Sequence, residues 1–319
     1  MAINKSAIIF GISGQDGSYL AHFLLSKNYK VVGVTRNKNY KNLYRLKRLK
    51  ILEKVKLIQG NASDKKFCNK LINKNIDEIY FLSGYSSVIG SFEDPFKSMN
   101  SNVIGLLNIL EEIKKKKLKL KLFNAGSGQF YGNNKKNTYG LYSKIDPQSP
   151  YGVAKASSYW FTKIYREHYK IYCCTGILFN HESPLRSDEF VTKKIIEVSK
   201  KIKNNKNIKL KLGNINIKRD WGWAPEYVQA IWKMLQRKKP TDFIIGSGKV
   251  YSLKNFVDEV FKILKIKKKN LIYNVSAFKR NTDIQGYKAD IKRTKKILGW
   301  KPKIGFQKMI IKMIKDELF

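Results

Sequence analysis

In Tyr151-Gly152-Val153-Ala154-Lys155 a phenol and an ammonium stand at i and i+4, the spacing that puts two side chains on one face of a helix. An ammonium near a phenol, with an oxidised nicotinamide beside it, lowers the phenol from about 10 toward neutrality. Tyr151 then becomes a usable base for a hydroxyl that loses a hydride. Alone, such a pair is more often an accident of a helix face. A second stretch changes its weight. Gly11-Ile12-Ser13-Gly14-Gln15-Asp16-Gly17 lies between a first apolar run and a first helical pattern. Glycines so spaced let the backbone turn tightly and approach a pyrophosphate at the positive end of a helix.

Both stretches need a scaffold, and the alternation of apolar runs with helical patterns supplies one. Strands are expected at Ser6 to Phe10, Val31 to Thr35, Val55 to Ile58, Ile79 to Leu82, Leu120 to Ala125 and Tyr172 to Leu178. Each is separated from the next by a segment of helix length. That rhythm predicts an α/β fold, a doubly wound parallel Rossmann sheet. After residue 178 the pattern changes. Asn180 to Glu189 reads as a polar loop, Val191 to Lys201 as a helix, and Phe243 to Gly246 as a returning strand. Helices follow at Ser252 to Leu264 and Lys292 to Leu298. The expected division is a dinucleotide-binding domain over 1–178, with a returning strand near 241–247. A smaller mixed C-terminal substrate lobe takes 179–240 and 248–319. Ligands in such folds sit outside the carboxyl ends of the strands, where the lobe would close over them.

The 319 residues are 43% hydrophobic and 13% aromatic, too rich in core-forming side chains for a disordered chain. No apolar run reaches the roughly 18 residues of a membrane span, and no leader pattern is visible, so neither membrane insertion nor secretion is expected. Cys68, Cys173 and Cys174 cannot make a disulfide framework and read as reduced thiols of a cytoplasmic protein. Three His and three Cys lack metal-ligand spacing. The net charge of +40 first points to nucleic acid or anionic lipid. Only nine of the 64 basic residues are Arg, however, and Lys is spread through every segment. A phosphate- or base-reading surface leans on the planar Arg fork. The bias therefore reads as solvated faces, with no nucleic acid and no membrane as partner. A catalytically idle scaffold binding RNA or lipid stays as the competing class, opposed by Tyr151 and Lys155.

These motifs together identify a resemblance. The chain resembles the extended short-chain dehydrogenase/reductases, specifically the GDP-mannose 4,6-dehydratase family, over nearly its whole length. The resemblance rests on Gly11 through Leu20, on Ser149-Pro150-Tyr151 through Lys155, on Gly176 through Pro184, on Arg219-Asp220-Trp221-Gly222, and on Arg280. Asn180-His181-Glu182-Ser183-Pro184 is its most family-specific part and implies GDP-sugars. The resemblance makes Tyr151 and Lys155 the catalytic pair. It places Gly11, Gly14, Gln15, Asp16 and Gly17 on the cofactor, with Arg36, Asn61 and Ala62 toward its adenosine half. Leu82, Ser83 and Ser86 would pass beside the nicotinamide ribose, and His181 and Arg186 would line the same cofactor. Asn180, Lys193, Arg219 and Arg280 would hold the substrate's nucleotide diphosphate. By the same token Arg36 to Arg48 is a basic loop that reaches a neighbouring subunit's cofactor site, which implies a homo-oligomer.

One departure bears on the reaction. Where the family has a Thr-Ser-Glu step, this chain has Ser127-Gly128-Gln129. Ser127 keeps the hydroxyl that orients the C4 oxygen. Gln129 lacks the carboxylate that, in a dehydratase, takes the C5 proton before water leaves from C6. An amide oxygen is essentially non-basic near neutral pH. The expected reaction is oxidation of the C4 hydroxyl of a GDP-manno-sugar, a manno-heptose among the candidates, with the C6 hydroxyl kept. The cofactor would end reduced, and a small keto acid could reoxidise it. A 4,6-dehydratase and a 4-keto reductase or 4-epimerase remain the alternatives. The stretch Thr35-Arg36-Asn37-Lys38 loses the family's second Arg, and Asn61 replaces an Asp near the adenine, whereas no acid ends the second strand. NAD is the expected cofactor and NADP the alternative.

Overall fold

The computed structural model describes residues 5–133, 138–275, 284 and 286–319. Seven strands form one parallel sheet: β1 (Ser6–Phe10), β2 (Lys30–Thr35), β3 (Lys56–Gln59), β4 (Glu78–Phe81), β5 (Lys121–Ser127), β6 (Cys173–Leu178) and β7 (Phe243–Ile245). Their order is β7-β6-β5-β4-β1-β2-β3, so the chain reverses its winding between β1 and β4. The doubly wound Rossmann-type α/β fold is the one expected. Parallel strands covered on both faces are apolar on both faces, and β1 illustrates why. Ala7 and Ile9 enter one core layer, beside the helices Gln15–Leu25 and Ala224–Leu235. Ile8 and Phe10 enter the other, beside Gly105–Lys115.

A separate hydrophobic core joins the helices Val191–Asn204, Leu253–Leu264 and Phe306–Lys315 through Ile195, Ile196, Phe256, Val260 and Met309. Residues 180–182, read from sequence as the start of a loop, form a short strand paired with Trp221–Trp223. Polar Asn180 and His181 hide the pattern, because their side chains serve a cleft rather than a core. Lys218–Arg219 pairs in parallel with Gly286–Ala289, which brings Arg219 opposite Tyr287. Among the described residues no helix is long and apolar enough to cross a membrane.

The helix Pro150–His168 is the element that sets the chemistry. Ser149 caps it by accepting the Gly152 N–H at 3.0 Å, and Pro150 occupies its first turn. Farther along, the buried Asn124 of β5 donates to Thr162 Oγ1 at 3.0 Å and ties the helix to the sheet.

Candidate active site

The switch between β1 and β4 opens a cleft of about 390 Å³ at the carboxyl ends of the strands. Its floor is the glycine loop. Gly11 has φ +85°, a left-handed conformation that favours glycine, and a Cβ there would stand 2.8 Å from Ser83 N. A Cβ on Gly17 would lie 2.2 Å from the Gly11 carbonyl, so only glycine lets the helix Gln15–Leu25 sit this close to β1. Gly14 at the N-cap of that helix offers no side-chain cap. The first-turn N–H groups are thus left for an anion, and the arrangement fits the pyrophosphate of a dinucleotide. Gly11, Gly14, Gln15, Asp16 and Gly17 all line this cleft. So do Arg36, Asn61 and Ala62 beyond β2 and β3, and Leu82, Ser83, Ser86 and Arg186 on its opposite side.

A second cavity of about 180 Å³ shares Asp16, Leu82, Ser86 and Arg186 with the first, so the two adjoin. Ser127, Gln129, Tyr151, Lys155, Asn180 and His181 line it. Ser127 ends β5; its Oγ accepts the Gln129 N–H at 3.3 Å and its hydroxyl hydrogen-bonds the Tyr151 phenol. Lys155 donates to the Ala125 carbonyl at 2.9 Å and stands 5.8 Å from the centre of the Tyr151 ring. Burial lowers Lys155 to about 8, against the pull of Asp16.

The lowering of the Tyr151 phenol expected from its lysine is not produced by these residues alone. Burial raises it above the ordinary 10.0, outweighing the Ser127 hydrogen bond and the Arg186 guanidinium. The reason is geometric. The Lys155 ammonium is turned to a backbone carbonyl, while the phenolate would have to form in a site stripped of water.

His181 ties the strand Asn180–Glu182 to the first turn of the helix Gln15–Leu25. Its Nδ1 meets the Phe179 carbonyl at 2.7 Å and its Nε2 meets Asp16 at 2.8 Å, so the protonated ring donates at both nitrogens. Burial opposes the charge on His181, but the Asp16 carboxylate outweighs it and the imidazole titrates above 6.5. Burial likewise opposes Asp16, and His181 holds it below 3.8. The stabilisation by His181 is complete below its ordinary value and fades as pH rises through the raised one. On the acid side it is lost as pH falls through the lowered Asp16 value. Raising pH from about 6 to about 9 should therefore lower the melting temperature by about 2 °C. His181→Gln should remove most of that slope in scanning calorimetry, and an unchanged slope would refute the pairing.

Other expected residues lie elsewhere. Lys193 lines neither cavity: it donates to the Pro184 carbonyl at 3.2 Å and pairs with Glu197 at 3.1 Å. Arg219 also lines neither; it donates to the Lys218 and Ile284 carbonyls and stands 5.4 Å over the Tyr287 ring. Arg280 lies outside the described residues. The stretch Arg36 to Lys54, expected as a basic loop and helix, carries a helix over Tyr40–Arg48, within the segment that the resemblance sends toward another subunit. Its Arg45 turns inward, donating to the Leu185 and Ser13 carbonyls at 2.7 and 2.9 Å and to Ser187 Oγ at 2.8 Å. These three bonds clamp the glycine loop to the segment after Pro184.

Two residues were missed by sequence reasoning. Arg45 stood out only as one of few arginines in a Lys-rich stretch. Tyr287 lines the second cavity and carries no local signal, since its partners are remote in sequence. Gln129 Nε2 donates to the Tyr287 hydroxyl at 2.8 Å, and that hydroxyl donates to Asn180 Oδ1 at 2.6 Å. Burial raises Tyr287 to about 12, so it stays a neutral phenol.

Comparison with known proteins adds an independent line. Residues 8–313 match the family model described as GDP-mannose 4,6 dehydratase. The chain is 37% identical to GDP-mannose 4,6 dehydratase 1 of Arabidopsis thaliana, over 98% of this chain and 90% of that one. Among solved structures it is similar to the dTDP-glucose 4,6-dehydratase of Bacillus anthracis, with a TM-score of 0.85, 20% identity, and 98% and 96% of the two chains covered. It is also similar to the UDP-glucose 4-epimerase of Thermotoga maritima, with a TM-score of 0.86, 20% identity and 98% of each chain covered. At that identity the two structures speak for the fold.

Proposed function

The chain belongs to the GDP-mannose 4,6-dehydratase family, an enzyme family of the short-chain dehydrogenase/reductase type, and we propose that it oxidises C4 of a GDP-manno-sugar and stops at the 4-keto sugar. One observation carries this reading. The residue at the position of the family's glutamate is the carboxamide of Gln129, and Asp16 is the sole carboxylate among the described residues lining that cavity. Asp16 is already engaged by His181 at 2.8 Å. Among the described residues lining that cavity, no unengaged carboxylate is left to take a proton from C5.

In this reading Tyr151, as phenolate, removes the proton of the C4 hydroxyl. Ser127 donates to the same oxygen and aligns it, while Lys155 and Arg186 supply positive charge around a buried anion. A nicotinamide dinucleotide bound along the glycine loop supplies the hydride acceptor and, in its oxidised form, a positive charge that favours the phenolate. With C5 untouched, the C6 hydroxyl stays in place. A small keto acid is the class of oxidant we assign for closing the cycle: the two electrons and two protons taken from the sugar's carbinol become its own. We read the cofactor as NAD, because a mostly oxidised pool favours net oxidation. Arg36 at the lip of the cleft favours NADP instead, and comparing kcat/KM with the two cofactors decides.

The test is the product's mass. Mannose and manno-heptose forms of the GDP-sugar should each be tried in heavy water, and the product should lack two hydrogens and nothing more. Loss of water would overturn the reading in favour of a 4,6-dehydratase. No reduced cofactor with any 4-hydroxy GDP-sugar would favour a 4-keto reductase.

We also propose a homo-oligomer in the cytoplasm. Val153, Trp160 and Ile164 are exposed at helical spacing along one stripe of Pro150–His168, and Phe96 is 85% exposed on the adjoining helix Pro95–Met99. The three cysteines are free and buried, as a reducing compartment allows. Trp160→Asp should give monomers in sedimentation velocity; an unchanged sedimentation coefficient would remove this stripe from the interface.

A further inference from the structure

Gln129, Tyr287 and Asn180 form a chain of hydrogen bonds whose direction is not free. A phenol has one proton. Tyr287 gives its proton to Asn180 Oδ1 at 2.6 Å, so toward Gln129 it can only accept, and it accepts from Nε2 at 2.8 Å. With Nε2 spent on Tyr287, Oε1 is the end of the Gln129 amide left to serve the cavity that Gln129 lines with Tyr151 and Ser127. In the opposite order, Asn180 would donate from Nδ2 to Tyr287, and Tyr287 to Gln129 Oε1, leaving Nε2 toward the sugar. The far end of the chain decides between the two. Asn180 lines the same cavity, and the substrate diphosphate that the proposed function assigns to it would accept N–H, not carbonyl. Nδ2 is drawn to the diphosphate, Oδ1 is left for Tyr287, and the order follows.

The geometry points to Tyr287 as a positioning residue that, with Asn180, holds the Gln129 carboxamide with its oxygen toward the sugar, so that the site selects GDP-sugars carrying a hydroxyl at C6. This inference rests on the reading of position 129 as the residue beside C5 and C6. It gives the amide a role of its own, since an oriented acceptor holds the hydroxyl that a carboxylate at this position would help to eliminate. The surroundings suit a fixed relay. Tyr287 is 3% exposed, packs its ring 5.1 Å from Phe179 and lies under the Arg219 guanidinium. Burial keeps its hydroxyl protonated at neutral pH.

The test measures affinity with the enzyme loaded with NADH, which cannot oxidise the sugar, using GDP-mannose and GDP-6-deoxymannose in a calorimeter. The wild type should bind the 6-hydroxy sugar about tenfold more tightly, the difference of one well-placed hydrogen bond. Tyr287→Phe keeps the ring and its packing and should bring the ratio near unity. Gln129→Leu should do the same, and adding Tyr287→Phe to it should change the ratio no further. A structural role for Tyr287 would weaken both sugars alike and leave the ratio intact. A ratio near unity in the wild type, or one that survives Tyr287→Phe, overturns the inference. Its failure is separable from that of the proposed function: a flat ratio with an intact 4-keto product sinks the relay alone, whereas loss of water in the NAD reaction sinks the oxidation-only reading whatever the ratio.

Discussion

Tyr151→Phe should lower the rate of C4 oxidation by about 10² to 10⁴, the usual worth of a positioned base. The substitution removes one oxygen from a residue that is 9% exposed and whose backbone N–H is held by Ser91 Oγ at 3.1 Å, so helix and packing should survive. The loss should appear in kcat, with GDP-sugar affinity changed by no more than about threefold, because the phenol acts on a proton in flight rather than on the bound sugar. The pH profile carries the finer signature. Burial raises the Tyr151 phenol, so activity should climb toward alkaline pH as the phenolate forms, while Lys155 loses its charge above about 8 and should blunt the rise. In the variant the climb should vanish. Absorbance of the reduced cofactor in a single turnover measures all of this, and a variant within tenfold of the wild type, or one keeping the alkaline rise, would mean that another group takes the C4 proton.

The sheet was legible because its strands obey a rule that composition alone exposes: a parallel strand buried on both faces must be apolar throughout, as Ala7-Ile8-Ile9-Phe10 is. The glycine loop was legible for a related reason. Gly11 and Gly17 are demanded by close backbone approach, and that demand is local in sequence. Legibility fails where a residue's role depends on remote partners. Tyr287 reaches Gln129 across 158 positions and Asn180 across 107, and no local pattern announces either bond. Arg45 looked like part of a solvated basic stretch, although its fork spans to Ser13 and Ser187. The strand Asn180–Glu182 was concealed by its own function, since cleft-lining polar side chains break the alternation that marks a strand. The direction of the Lys155 ammonium was not legible from spacing, because i and i+4 fix which face two groups share, not where an ammonium points. Here it points to the Ala125 carbonyl.

Gln129→Glu should restore elimination. A base at this position is worth about 10² to 10⁴ in the step that takes the C5 proton, so water loss should rise at least a hundredfold over the wild type. Tyr287, a neutral phenol raised to about 12, can turn its one proton from Asn180 Oδ1 to the new carboxylate, giving up the Asn180 bond for a charge-assisted one. That same bond stabilises the carboxylate and makes it a weaker base. Gln129→Glu joined to Tyr287→Phe should therefore eliminate faster than Gln129→Glu alone, provided the amide-holding role of Tyr287 is not needed once the amide is gone. Mass spectrometry in heavy water reads both effects, through the loss of water and through deuterium taken up at C5. If neither variant loses water nor exchanges C5, then the missing carboxylate is not what halts the reaction, and the shape of the cavity around Ser127 and Tyr151 must hold C5 out of reach of any base at position 129.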